Sequence, residues 1–354
     1  MKVSIQERVL HSKQPAGTSR GVYTERRSWF VTVSDGDYEG VGECAPLPDL
    51  SCDARADYAD VLRGFCDRLE QTGELDYEAM RDYPSMLFGM ETAMLSLQAS
   101  RLTLHTSHLL FNTAFSRGEE GIPINGLVWM GSYDEMLQRM EQKLEQGFHC
   151  VKLKVGAIDF ERELDLVRRI RQRFSFHEVE LRLDANGGFS PRTDTPQCGG
   201  NDEALYKLEL LSQYAVHSIE QPIRQGQWAY MAELCRDSPL PIALDEELIG
   251  VNDREMKSHM LNIIKPAYIV LKPSLHGGMA GCREWVEAAR QHGVGSWITS
   301  ALESNVGLNA IAQFCSDLYG DDIRMPQGLG TGQLFTDNIS MPLEIRGDRL
   351  WIKR

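Results

Sequence analysis

Three acidic residues, Asp184, Glu220 and Asp245, each stand directly after a short apolar run of the chain, at 180–183, 216–219 and 242–244. If these runs are parallel strands ending at one rim, the carboxylates converge, and converging negative charge is costly away from water unless a cation joins it. Three oxygen donors without a histidine suit Mg²⁺, with Mn²⁺ as a substitute, better than zinc. For each carboxylate taken alone, the competing reading is N-capping of the helix that follows. Lys152 and Lys154 lie two apart in CVKLKVG, so both face one side of a strand while Val151, Leu153 and Val155 face the other. Lys272 follows another apolar run, 268–271. A lysine whose pKa is lowered by nearby positive charge can remove a proton α to a carboxylate, and a cation on that carboxylate stabilises the resulting enediolate. Three salt-bridging structural lysines would show the same residue types.

Other polar residues sit where they could touch a substrate. Asn186, with Gly187 and Gly188, lets the chain turn tightly after Asp184. Ser300 and Glu303 follow a further apolar run, to contact substrate or to position Lys272. Gly330 and Thr331 belong to a glycine-rich turn, 328–332, whose backbone N–H groups suit a carboxylate; it lacks the lysine of a phosphate loop. Arg20, in a basic stretch at 18–21 between two strands, has the character of a lid or of a plain loop. Glu246 is placed beside the site, and Glu247 as a cap or a solvent-facing residue.

The elements that must hold these groups fall into two patterns. Residues 3–9, 29–33 and 38–43 alternate as antiparallel strands, followed by helical patterns at 54–71 and 85–100, which indicates a small α+β domain. From 122 onward, short apolar strands alternate with amphipathic helices at intervals of about 25–37 residues. The strands start at 122, 149, 179, 216, 241, 267 and 295, and a last one is placed near 322–326. Ser132 and Glu135 have capping-box spacing at the first of these helices. The rhythm predicts a closed barrel of parallel βα units, α/β in class, and the absence of GxGxxG after any strand counts against an open doubly wound sheet. In such a ring Lys272, on the sixth strand, lies opposite the lysine pair on the second. The expected division is 1–120 for a capping domain, completed by about 335–354, and 121–334 for the barrel; the alternating end, 343–354, is an added strand or brace of the first domain.

Composition narrows the partners. The 354 residues carry a net charge of −14, so neither nucleic acid nor an anionic membrane is the default partner. No apolar run has the length of a signal peptide or a membrane span, and the eight scattered cysteines form no CxxC. A cytoplasmic enzyme with reduced thiols and a small-molecule carboxylate substrate is the expectation, as a monomer or a homodimer.

A family resemblance adds to this. GECAPLP at 42–48, KLKVG at 152–156, LDANGGFS at 183–190 and IEQP at 219–222 resemble the motifs of the enolase superfamily. So do LDEEL at 244–248, VLKPSLHGG at 270–278 and SALES at 300–304, all in the family's order and spanning most of the chain. The resemblance implies a modified TIM barrel, (β/α)7β, with an α+β capping domain, and Mg²⁺ held by Asp184, Glu220 and Asp245. It implies that Lys154 abstracts the α-proton, that Lys152 supports the carboxylate and the pKa of Lys154, and that Lys272 steadies the enediolate from the other face. TSRGVYTERRSWFV at 18–31, PINGLVW at 123–129 and GLGTGQLF at 328–335 resemble one dehydratase branch, which serves menaquinone biosynthesis. Its reaction is the syn-dehydration of 2-succinyl-6-hydroxy-2,4-cyclohexadiene-1-carboxylate.

Two features depart from that pattern: Asp49 stands where many relatives have glycine, and an insertion occupies 190–201. The alternatives within the superfamily are a dipeptide epimerase or an N-acylamino acid racemase, with a muconate cycloisomerase behind them. Epimerases resemble a pattern with Asp-x-Asp near the eighth strand, whereas here Asp321 and Asp322 precede GLGTG. A non-catalytic binding barrel would have lost a ligand or a base, and this chain keeps all six groups.

Overall fold

The structure is a computed structural model and describes residues 1–18, 21–103, 108–190 and 202–353. Arg20, Cys198 and the stretch 191–201 lie outside the described residues. β1 (Lys2–Thr18) and β2 (Gly21–Asp35) form a long antiparallel ribbon, to which β3 (Tyr38–Cys44) adds a third strand. The pairing continues to Thr18 opposite Gly21, well beyond the apolar stretches 3–9 and 29–33. Backbone pairing carries this outer half, so its polar residues hide it from a reading based on hydrophobic alternation. α1 (Tyr58–Thr72) and α2 (Pro84–Thr103) cover the sheet. α2 lies so close to β3 that a Cβ at Gly42 would collide with the backbone of Gly89.

The second unit opens with β4 (Ile122–Pro123) and β5 (Gly126–Val128), so the expected run 122–128 is two short strands. α3 (Tyr133–Glu145) follows, with the Ser132–Glu135 capping box in place. Then come β6 (Cys150–Lys154), α4 (Phe160–Arg173), β7 (Glu180–Asp184) and α5 (Glu203–Ser212). β8 (Ser218–Glu220), α6 (Trp228–Asp237), β9 (Ile242–Leu244) and α7 (Arg254–Ile264) continue the alternation. It ends with β10 (Tyr268–Leu271), α8 (Gly278–Gln291), β11 (Gly295–Ile298) and α9 (Asn305–Tyr319). Seven strands, β5 to β11, form one sheet in sequence order, and every pairing in it is parallel. Apolar residues between these strands and the surrounding helices make the larger core, and the capping sheet has its own with α1 and α2.

The ring closes later than expected. Residues 322–326 form no strand; Gln327 bridges Ile124 and Gly328 bridges Thr299, both in parallel. The Gln327 side chain takes part in this closure, accepting from Ile298 N at 2.7 Å and donating to Met325 O at 2.7 Å. A side chain standing in for ladder bonds leaves no hydrophobic alternation to read. The final hairpin, β12 (Leu343–Arg346) and β13 (Arg349–Ile352), pairs with β4 and not with the β1–β3 sheet. The N-terminal ribbon is instead held by 334–336, through Lys13 N–H to Leu334 O at 2.8 Å and Thr336 N–H to His11 O at 2.9 Å. No helix among the described residues is long and apolar enough to cross a membrane, and the seven described cysteines are free thiols.

Two buried carboxylates join the cap to the barrel. Glu43, from β3, accepts from Ser28 Oγ at 2.8 Å, from Ser304 N and Gly307 N at 3.0 Å each, and from Ser304 Oγ at 2.5 Å. Glu91, from α2, accepts from Met279 N at 2.6 Å and Ala280 N at 3.0 Å. Both therefore satisfy free N–H groups at the starts of barrel helices, α9 and α8, where the helix dipole also favours negative charge. Gly278, with φ +70°, leaves room for this, since a Cβ there would meet Glu91 Oε2 at 2.5 Å. Glu43→Ala would strand four donors in a dry junction and is expected to lower stability by about 3 kcal/mol, read as a urea midpoint; an unchanged midpoint would show that water replaces the carboxylate.

Burial pushes the Glu91 carboxyl up from 4.5 to about 8, against its two backbone donors, which lower it. A carboxyl whose folded pKa lies above its unfolded value holds more protons when folded. Its stabilising contribution is therefore present in acid and is lost as pH climbs from about 4.5 to about 8. Glu91→Gln should remove this part of the slope, so that its stability differs less between about pH 5 and about pH 8 than the wild type's does. An identical slope in the variant would refute the assignment.

Candidate active site

The carboxylates and lysines come together because the strands are parallel and in register. Lys154 pairs with Asp184 across β6 and β7, and Asp184 with Glu220 across β7 and β8, so these ends share one level at the barrel mouth. Asp245 follows β9 and Lys272 follows β10. Lys152 Nζ lies 2.9 Å from Asp184 Oδ2 and 2.6 Å from Glu220 Oε2. Lys154 Nζ lies 2.8 Å from Asp184 Oδ2 and donates to Asn186 Oδ1 at 2.6 Å. Lys272 Nζ pairs with Asp245 Oδ2. In a ring closed between β11 and β5 by 327–328, β6 and β10 stand on opposite sides.

All three carboxylates and the Lys152–Lys154 pair are buried. Burial works against the ammonium of Lys152, but Asp184, Glu220 and Asp245 more than offset this and raise its pKa. Lys272 is raised in the same way, chiefly by Asp245. Burial also opposes the charge of Asp184, yet Lys152 and Lys154 hold its pKa well below the usual carboxylate range. Glu220 is pushed up to about 8, first by burial and then by Asp184. The cluster thus still attracts positive charge.

The donor set fits a hard cation. Glu220 Oε1, Asp245 Oδ1 and Glu246 Oε2 are buried oxygens without a hydrogen-bond partner, and neither histidine nor cysteine stands among them. Among the described residues, no three acidic, histidine or cysteine side chains are grouped as a ready cation cage. Lysine ammonium groups stand between the carboxylates instead.

Asn186 lines the same pocket, donates to Glu246 Oε1 at 2.9 Å, and takes φ +43°. Ser300 and Thr331 line it too, their hydroxyls 2.6 Å apart, and so does Gly330. Glu303 is a correction. Its carboxylate does not line the pocket; it is fully buried behind the wall, accepting from Ser274 Oγ at 2.6 Å and Ala301 N at 2.7 Å. Glu247 is buried as well, not solvent-facing, and accepts from Gly226 N at 2.7 Å and Gln221 Nε2 at 3.1 Å.

Several pocket residues escaped the sequence reading. Trp129 lines the pocket with its ring 6.0 Å from Lys154 Nζ, and Leu127, two positions earlier, shares its side. The period of two after β5 could have shown this. Gln221 takes φ +41°, and its Oε1 accepts from Asp245 N at 3.2 Å and Glu247 N at 3.1 Å, which fixes the turn carrying Asp245. Tyr23, Leu47 and Leu50 of the capping unit complete the pocket from above, a contact that no local pattern announces.

Comparison with known proteins agrees with this architecture. Residues 135–344 match the family model "Enolase C-terminal domain-like", and residues 18–97 match "MenC, N-terminal domain". An o-succinylbenzoate synthase of Desulfotalea psychrophila is 43% identical, over 99% of each chain. The crystal structure of MenC from Desulfotalea psychrophila superposes with a TM-score of 0.80 at 40% identity, covering 99% of both chains. A dipeptide epimerase from Enterococcus faecalis, complexed with Mg and L-Leu-L-Tyr, shares the fold at a TM-score of 0.81 and 17% identity, covering 100% of this chain and 96% of that one. With a lysine pair and a lone lysine facing each other over strand-end carboxylates, and with near-complete coverage at this identity, the chain belongs to the o-succinylbenzoate synthase family of the enolase superfamily.

Proposed function

We propose that this chain is a Mg²⁺-dependent o-succinylbenzoate synthase, which dehydrates 2-succinyl-6-hydroxy-2,4-cyclohexadiene-1-carboxylate to 2-succinylbenzoate in menaquinone biosynthesis. The observation that carries the reading is the placement of Lys152 and Lys154 on β6 opposite Lys272 at the end of β10, with Asp184, Glu220 and Asp245 between them. Asp184, Glu220 and Asp245 would hold Mg²⁺, which would supply Lewis-acid stabilisation of charge developing at the substrate carboxylate. Lys154 takes the α-proton, and the C–H electron pair becomes the new ring double bond as the C–O bond breaks. The same ammonium then returns its proton to the departing hydroxyl, so water leaves from the face on which the proton was taken. Lys152 keeps positive charge beside the substrate carboxylate. Lys272 faces the ring from the other side, where an ammonium attracts developing negative charge and π density. Asn186, Ser300, Gly330 and Thr331 orient the substrate, and Arg20, outside the described residues, is assigned a substrate contact.

A dipeptide epimerase would use the same opposed lysines. It would also need acidic groups for the dipeptide ammonium, and Asp321 and Asp322 do not reach the pocket. Asp321 accepts from Ala114 N at 3.1 Å, and Asp322 pairs with Arg324 at 2.7 Å on the surface. The reading takes the enzyme as a cytoplasmic monomer or homodimer.

Assay of the cyclohexadiene acid with and without Mg²⁺, beside L-Ala-L-Glu-type dipeptides and N-succinylamino acids, is expected to show Mg²⁺-dependent dehydration as the dominant activity. Rapid epimerisation with no dehydration would reverse the order of the two readings. Lys154→Ala should lower turnover by about 10³-fold or more, while calorimetry still detects Mg²⁺ binding. Substantial turnover retained in that variant would assign the base elsewhere.

A further inference from the structure

Arg26, on β2, is a buried arginine whose hydrogen bonds all go to main-chain carbonyls. Nη1 donates to Pro46 O at 2.5 Å, and Nη2 donates to Ala45 O at 2.5 Å and to Ala301 O at 3.1 Å. Nε donates to Leu302 O at 3.2 Å. One guanidinium thus ties the cap loop after β3 to the barrel turn after β11. Each segment contributes an apolar residue to the pocket lining, Leu47 from the first and Leu302 from the second. Leu47 also packs with Ala301 and Leu275 in a small apolar cluster of its own.

Leu302 is held in the left-handed region, at φ +63°. A branched side chain there is strained, and such a conformation persists only where its surroundings over-determine it. The bonds from Arg26 to the carbonyls of Leu302 and of the residue before it supply that constraint. The charge is offset in part from behind the wall, burial still leaving the guanidinium pKa lowered. Burial disfavours the guanidinium, and Glu303 and Glu43 oppose that effect, Glu303 more strongly. Glu303, which does not reach the pocket, therefore has a place in the structure as the buried counter-charge of this clasp.

We infer that Arg26 is a positioning residue that sets the apolar roof of the pocket, through Leu47 and Leu302, and so determines how tightly the succinyl-bearing acid is held. The inference rests on the dehydratase reading above for the identity of that acid. A planar fork with five donors can reach carbonyls on two segments at once, which a lysine ammonium, a single charged point on a flexible stem, cannot reproduce.

The test is Arg26→Lys, which keeps the charge and loses the fork, measured beside the wild type for kcat, KM, Mg²⁺ affinity and affinity for 2-succinylbenzoate by calorimetry. KM and the product dissociation constant are expected to rise about tenfold, with kcat within about threefold and Mg²⁺ affinity close to wild type, while the melting temperature falls because buried carbonyls lose donors. A folded variant with wild-type KM and product affinity, or a loss confined to kcat, overturns the inference. If Arg26→Lys does not fold, Leu302→Gly gives the reading, because it removes the strained wall and leaves the backbone carbonyl in place; unchanged KM and product affinity there overturn the inference too. A wild type that binds product but performs no dehydration refutes the functional reading instead, and product affinity still tests the clasp.

Discussion

Three carboxyl groups and three lysines share one water-poor rim, and neither set could be buried there without the other. An isolated ion buried in a medium of low dielectric costs several kcal/mol even after relaxation, so Asp184, Glu220 and Asp245 would protonate or disrupt the rim if they stood alone. Lys152 between Asp184 and Glu220, Lys154 against Asp184 and Lys272 against Asp245 hold the negative charge in place. The compensation is incomplete. Unpartnered oxygens remain on Glu220, Asp245 and Glu246, and burial together with Asp184 raises Glu220 to about 8. The net charge of −14 has little bearing on this, because buried pairs respond to their neighbours and hardly at all to screened charges on the surface.

The rest of the fold serves this rim from two directions. From below, the parallel ladders β6–β7 and β7–β8 bring Lys154, Asp184 and Glu220 to one level. From above, the capping unit grips the barrel where the strand-to-helix loops end. Glu91 closes the start of α8, just beyond Lys272, and Glu43 closes the start of α9, just beyond Ser300. The cap is therefore anchored on the same loops that carry site residues, and Arg26 adds a third tie between Ala45, Pro46, Ala301 and Leu302. A pocket roofed by such contacts keeps an apolar wall over a polar floor.

How much of this could be read in advance depends on the range of the interaction involved. Lys152 and Lys154 were legible as a pair because a strand repeats every two residues, and Asp184, Glu220 and Asp245 because each follows an apolar run at the same relative place. Trp129 was legible by the same parity and was passed over. Glu303 was misplaced because its distance along the chain from Ser300 says nothing of which way the turn points; Leu302, in the left-handed region, redirects it behind the wall.

The alternation of strands and helices, the division between an antiparallel unit and a parallel one, and the six charged groups in or just after strands are properties of the sequence alone. Each follows from a period of two or 3.6 residues, or from a cap a few positions away, and needs no distant partner. Tertiary structure decided where the ring closes, which unit the last hairpin joins, and what roofs the pocket. Gln327 meets Ile124 and Ile298, β13 meets β4, and Arg26 meets Leu302 across separations that local periodicity does not encode. These contacts form only because burial of two cores brings remote segments together, and there a backbone carbonyl or a single side chain decides the pairing without leaving a pattern in the chain.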